Sequence, residues 1–167
     1  LGADSTVESC VVYLKGPLPP VGWKKARDGG YEVDQKGCHY VPRVLIVPVG
    51  ETVTFKSSDP IGHNVKSAYK SFNVAVSQDG PQKLLCDQAD FVEVGCSIHP
   101  FMSGLVVVAA HPWYVLSDAK GEFKLDGVPP GAWTIFGRHE VLGKHAKMGT
   151  PITVEANKET TVDLTFD

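Results

Sequence analysis

Apolar residues in this chain come in short runs, and nearly every run is closed by a turn-forming residue. VESCVVYLK (7–15), YEVDQ (31–35), RVLIVPVG (43–50), ETVTFKSSD (51–59), DFVEVGC (90–96) and GLVVVAA (104–110) are rich in Val, Ile, Thr and aromatic residues. The 17 Gly and 12 Pro lie mostly between such runs. β-Branched runs of this length, set off by turn chemistry, build strands rather than helices, so the chain is expected to be all-β. After HPW (111–113) the pattern reads as three strands, YVLSD, EFKLDGV and AWTIFGRHE, with Gly121 and Pro130-Gly131 at the corners. A last pair, TPITVEAN and TTVDLTFD, is expected around Ala156-Asn157-Lys158, whereas 66–85 is expected to be loop with short strand pieces.

At 167 residues the chain fits one large or two small domains. A formal net charge of -3 argues against non-specific nucleic-acid binding, which needs a basic face. No apolar run reaches the roughly 18 residues that span a bilayer. The opening LGADSTVES lacks the basic and apolar regions of a signal peptide, so an exported protein would be represented here in mature or trimmed form. Four cysteines are too few to staple a chain this long and need individual explanations.

One of them has such an explanation nearby. GCSIHPFM (95–102) places Cys96, His99 and Met102 in one Gly-bounded loop, and these three side chains share an affinity for soft or borderline metals. A fourth donor is offered by His63 in DPIGHNVKS, 33 residues before Cys96. Two imidazoles, a thiolate and a weak thioether make up the type 1 copper donor set, in which thiolate and thioether favour Cu(I) and imidazole accepts Cu(II). A Cys-x2-His zinc site is the alternative, but it lacks the usual second Cys, and Met is a poor zinc ligand. HEVLGKH (139–145) does not keep the His-Glu-x-x-His spacing of a metalloprotease and is interrupted by Gly143. His111, His139, His145 and Met148 could supply a second copper site, against the plainer reading of surface histidines. Cys10, Cys38 and Cys86 leave room for one disulfide of undetermined pairing. Trp23, Tyr40, Trp113 and Trp133 read as core or interface aromatics.

The segment 31–108 resembles a cupredoxin, most closely of the amicyanin branch. VPRVLIVPVGETVTFKSSDPIGHNV matches that family's pattern of Pro, strand, Val-x-x-Gly-x-x-Val-x-Phe, Asp and His-Asn-Val, and CSIHPFM matches its ligand loop. The resemblance implies a Greek-key β-sandwich over 30–112 binding one type 1 copper through His63, Cys96, His99 and Met102. It implies that Asn64 ties the two ligand loops together beside the thiolate sulfur. His99 would lie near the surface, with Pro100, Phe101, Ile61 and Gly62 as an apolar collar that docks a redox partner such as a cytochrome or oxidoreductase.

The remainder resembles a second family. SDAKGEFKLDGVPPGAWTI is close to the pattern of the carboxypeptidase regulatory-like, transthyretin-like sandwich, whose opening strand SCVVYLKG would suit. The resemblance implies a small discontinuous β-sandwich of 1–29 and 113–167 with the copper domain inserted, and it brings no catalytic residue. Together these point to an exported, periplasmic or otherwise extracytoplasmic electron carrier that is not an enzyme. A copper carrier or chaperone, a copper enzyme and a structural sandwich with a vestigial copper site are the rivals.

Overall fold

A computed structural model describes residues 6–17, 29–144 and 149–166. The expected connection over 17–30, with Trp23, therefore falls largely outside the described residues, as do His145 and Met148.

The strands are β1 (Val11–Lys15), β2 (Tyr31–Lys36), β3 (His39–Val41), β4 (Val44–Pro48), β5 (Thr52–Ser57), β6 (His63–Lys66) and β7 (Asn73–Val76). They continue as β8 (Gln82–Leu85), β9 (Asp90–Gly95), β10 (Ser103–Ala109), β11 (Tyr114–Leu116), β12 (Gly131–His139), β13 (Gly143–Lys144) and β14 (Thr150–Val154). The fold is all-β, and a single 3-10 turn at Tyr69–Ser71 is the exception among the described residues. Residues 66–85 are, as expected, loop with short strand pieces: that turn is flanked by β6 and β7, and β8 follows. Among the described residues no helix is long and apolar enough to cross a membrane.

Two compact units divide the chain, one of Leu1–Gly22 with Trp113–Asp167 and the other of Trp23–Pro112. In the larger unit two sheets, ordered β4-β10-β9-β6-β7 and β3-β2-β5-β8, enclose one core. The alternation in β2 buries Tyr31, Val33 and Gln35, and that in β5 buries Val53 and Phe55. β10 is buried from Gly104 to Ala109, as a strand between two neighbours must be when its faces are covered, and it pairs parallel with β4 and antiparallel with β9. Gln35 is fully buried with neither amide atom hydrogen-bonded, and nothing in the structure explains it.

The smaller unit is a five-stranded sheet in which β1 lies between β11 and β12, antiparallel to both, and β12 also pairs β13 and β14. Cys10, Val12, Leu14, Trp113, Trp133 and Ile135 form its core, with the two indoles edge-on at 5.2 Å. Gly16 is required here by close approach, since a Cβ would stand 2.5 Å from the Trp133 ring. The segments 122–128 and 160–166, expected as strands, join no ladder. Phe123 and Leu125, Val128, and Val162, Leu164 and Phe166 still pack on the core, so the period-two patterning at 123–125 and 162–166 records burial of one face without backbone pairing.

Candidate metal centre

Three loops at one end of the larger unit meet because of how its strands are paired. β9 ends at Gly95, opposite Ser103 of β10, so residues 96–102 form the connection between two antiparallel neighbours. β6 runs antiparallel beside β9, with Lys66 opposite Gly95, which brings His63 and Asn64 alongside that connection. From the other sheet comes the β2–β3 hairpin, in which Lys36 faces His39 and Gly37-Cys38 is the two-residue turn. Both turn residues have positive φ, 61° and 57°, as a type I′ hairpin requires.

His63, Cys96 and His99 converge. The Nδ1 atoms of His63 and His99 are 3.1 Å apart, and Cys96 Sγ is 3.9 Å from His99 Nδ1. His63 and Cys96 are buried, and His99 is half-buried. Met102 is buried in the same core as Cys96, and its N–H donates to the His99 carbonyl at 2.9 Å, closing the loop. Two Nδ1 atoms 3.1 Å apart, with a cysteine sulfur 3.9 Å from one of them, are donors of the kinds that copper takes.

The surrounding hydrogen bonds hold these donors still. Asn64 accepts from the Ser97 N–H at 2.6 Å and from the Cys96 thiol at 3.3 Å through Oδ1, while its Nδ2 donates to Asn73 Oδ1 at 2.7 Å. Cys96 Sγ also accepts from the backbone N–H groups of Asn64, at 3.5 Å, and His99, at 3.4 Å. Such outer contacts orient a metal ligand and tune it. Tyr40 donates to the Asn64 carbonyl at 3.2 Å, and its phenol titrates above the usual range because it is buried, with nearby Cys96 adding to the shift.

Asp59 was not among the residues expected at the site. Its Oδ2 lies 2.9 Å from His63 Nε2 and accepts from the Cys38 N–H at 2.9 Å, while Oδ1 accepts from the Gly37 N–H at 2.7 Å. The Cys38 N–H first, then the Gly37 N–H and the His63 ring, hold this carboxyl below the usual carboxylate range against some desolvation. A carboxylate at Nε2 selects the tautomer whose Nδ1 lone pair is free for a metal. Its position four residues before His63 was the available signal.

Cys38 was also missed as a site residue. Its Sγ and a ring nitrogen of each of His63 and His99 all lie within 4.8 Å of one another. The disulfide expectation is corrected: Cys10, Cys38, Cys86 and Cys96 are all free thiols. Cys10 and Cys86 are buried, each in the core of a different unit, and Cys38 faces the imidazoles instead. Of the residues offered for a second copper site, His145 and Met148 lie outside the described residues. His139 Nδ1 accepts from the Val141 and Leu142 N–H groups at 3.2 Å each, and His111 is buried.

The rim of the site is apolar and open. Phe101 is 70% exposed, Ile98 57% and Ile61 46%, and the Phe101 ring centroid is 5.9 Å from that of His99.

No protein-family model matches the sequence, and no curated protein matches it. Its structural neighbours are cupredoxins. An oxidised Pro-to-Ala variant of amicyanin is 28% identical, covering 51% of this chain and 87% of that one at a TM-score of 0.44. The reduced Cu(I) form of a Pro-to-Gly amicyanin variant is 30% identical, with the same coverage and the same score. A purple cupredoxin from Nitrosopumilus maritimus is 24% identical, covering 47% of this chain and 99% of that one at 0.43. Overlaps at these scores describe about half of the chain, and the assignment of donors rests on the distances above.

Proposed function

We propose that this protein is an extracytoplasmic electron carrier that binds one type 1 copper through His63, Cys96, His99 and Met102. The observation that carries this reading is the convergence of two Nδ1 atoms, 3.1 Å apart, with Cys96 Sγ at 3.9 Å, in a frame of hydrogen bonds already made. When bound, copper supplies one-electron exchange between Cu(I) and Cu(II). The chain's contribution is to hold the donors in a compromise geometry, so that little rearranges between the two states. Asn64 and the two backbone N–H groups restrain Cys96, Asp59 restrains His63, and the His99 carbonyl restrains the end of the loop at Met102.

Phe101, Pro100, Ile61, Gly62 and Ile98 form the docking collar in this reading. An exposed phenyl ring beside a half-buried candidate ligand is readily explained as a contact surface for a redox protein, such as a cytochrome or oxidoreductase, in a small transient encounter. The unit formed by β1 and the chain from Trp113 onward is read as a carboxypeptidase regulatory-like module that adds binding or scaffolding and no catalysis.

Loading with Cu(II) tests the reading. The expected result is one copper per chain with an intense thiolate-to-copper visible band, whose position and intensity change in Cys96→Ser while the β-sheet circular dichroism persists. A wild-type protein that binds no copper, or a band identical in Cys96→Ser, overturns it.

A further inference from the structure

The geometry points to Cys38 as a second thiol donor of the same centre, closing on a soft ion held by His63 and His99, so that the chain offers Cu(I) two sulfurs of cysteine rather than one. This rests on the metal-binding reading of His63 and His99. It goes beyond that reading by changing the ligand set, because neither the loop motif nor its spacing includes Cys38.

Three observations carry it. First, Cys38 Sγ lies within 4.8 Å of a ring nitrogen of each of His63 and His99. Two donors of one four-coordinate ion stand roughly 3–4 Å apart, so a modest χ1 rotation closes the gap. Second, the position of Cys38 is built rather than incidental. One carboxylate, Asp59, accepts the N–H groups of Gly37 and Cys38 and also contacts the His63 ring, which couples the cysteine turn directly to an imidazole donor. Third, Cys38 occupies the second position of a type I′ turn at φ 57°, where glycine is the natural choice and a Cβ brings strain. Nothing in the turn itself needs a side chain there, whereas the two imidazoles facing it have a use for a thiol.

The chemistry follows from the donors. Thiolates select Cu(I), and an S2N2 set is the tetrahedral arrangement that also suits Zn(II). A second thiolate therefore strengthens retention of the reduced ion relative to a site with one. On binding, the Cys38 S–H bond gives its proton to solvent and the sulfur lone pair goes to the metal, with no change in the oxidation state of either.

The test uses the whole chain loaded anaerobically with Cu(I), the sulfur contacts being counted by copper-edge X-ray absorption and the affinity measured by competition with a chelator. Cys38→Gly is the informative variant, because glycine relieves the left-handed turn and keeps the fold. The expected results are two short copper–sulfur contacts in wild type and one in Cys38→Gly. Affinity for Cu(I) should fall by no less than the roughly 10- to 100-fold that loss of an outer partner costs, although the metal-free variant melts no lower than wild type. Cys96→Ser should retain Cu(I) through Cys38, His63 and His99, and the double variant should not. One short sulfur contact in both wild type and Cys38→Gly, with equal affinity, overturns the proposal and leaves the single-thiolate copper reading standing. A wild-type protein that takes up no copper overturns both.

Discussion

Cys10, just before β1 in the smaller unit, and Cys96, just after β9 in the larger one, are both buried sulfurs, and their surroundings differ in kind. Cys10 shares its core with Val12, Leu14 and two indoles, and burial pushes its thiol up to about 11, against a hydrogen bond with the Arg138 backbone. Its local polar groups serve the backbone: Ser117 Oγ accepts the Cys10 N–H at 3.0 Å and donates to the Val7 carbonyl at 2.6 Å. Around Cys96 the neighbours include two N–H groups pointing at the sulfur, an amide oxygen at 3.3 Å and an imidazole at 3.9 Å. A thiol among hydrocarbon is a small apolar side chain that resists ionisation. A thiol that receives hydrogen bonds on its sulfur is held in one orientation by them. Burial alone does not distinguish the two, and the hydrogen-bond partners do.

The comparison breaks most visibly if each unit is attacked at its own centre. Trp133→Ala removes the ring that packs on Trp113 and under Gly16 and leaves the Pro129 carbonyl without its indole donor. It should destabilise the smaller unit by about 3–5 kcal/mol, seen as an early transition in urea, while the visible band of the copper-loaded protein is unchanged at low urea. Loss of the band together with the early transition would mean that the sulfur environments are not independent.

A smaller effect is expected from Asp59→Asn, which keeps an acceptor near His63 but removes the charge. Copper should still bind, with affinity lowered roughly 10- to 100-fold and the reduction potential raised, because a carboxylate at Nε2 makes the imidazole a better donor to Cu(II). Titration of the metal against a competing chelator, with voltammetry, reads both. An unchanged potential would make Asp59 a purely structural clamp for the Gly37-Cys38 turn.

The smallest effect concerns the apolar thiols. Cys10 and Cys86 are both raised by burial from 9.0 to about 11. A folded value above the unfolded one means that their contribution is fully present below pH 9 and is lost as pH rises toward 11. Unfolding free energy of the metal-free protein should therefore fall across that window, by at most about 2 kcal/mol for each thiol. The slope should flatten in Cys86→Ala. A flat profile in wild type would show these sulfurs to be better solvated than their packing indicates.

The all-β class was legible because strand patterning is local: β-branched residues alternate over a few positions and turn residues stop them, which needs no knowledge of the rest of the chain. The segments 122–128 and 160–166 mark the limit of that reading. Phe123 and Leu125, and Val162, Leu164 and Phe166, alternate as a strand would, yet whether the backbone finds a ladder depends on which edge is left open once β1, β12 and β14 have paired.

For the site, the sequence by itself determined that Cys96, His99 and Met102 share one short loop, since seven consecutive residues cannot separate far. It also determined that His63 and Asn64 follow a Gly-bounded strand pair and are available at its end. Only the tertiary structure decided that Cys38 and Asp59 belong with them. Cys38 lies 25 residues before His63 and 58 before Cys96, on a hairpin of the opposite sheet, and no spacing rule spans the gap between two sheets. Asp59 acts through a carboxylate that reaches two backbone N–H groups and a ring at once. That reach exists only after the sheets have closed on one core. A ligand loop is a property of covalent neighbours, whereas the groups that orient its donors are chosen by packing.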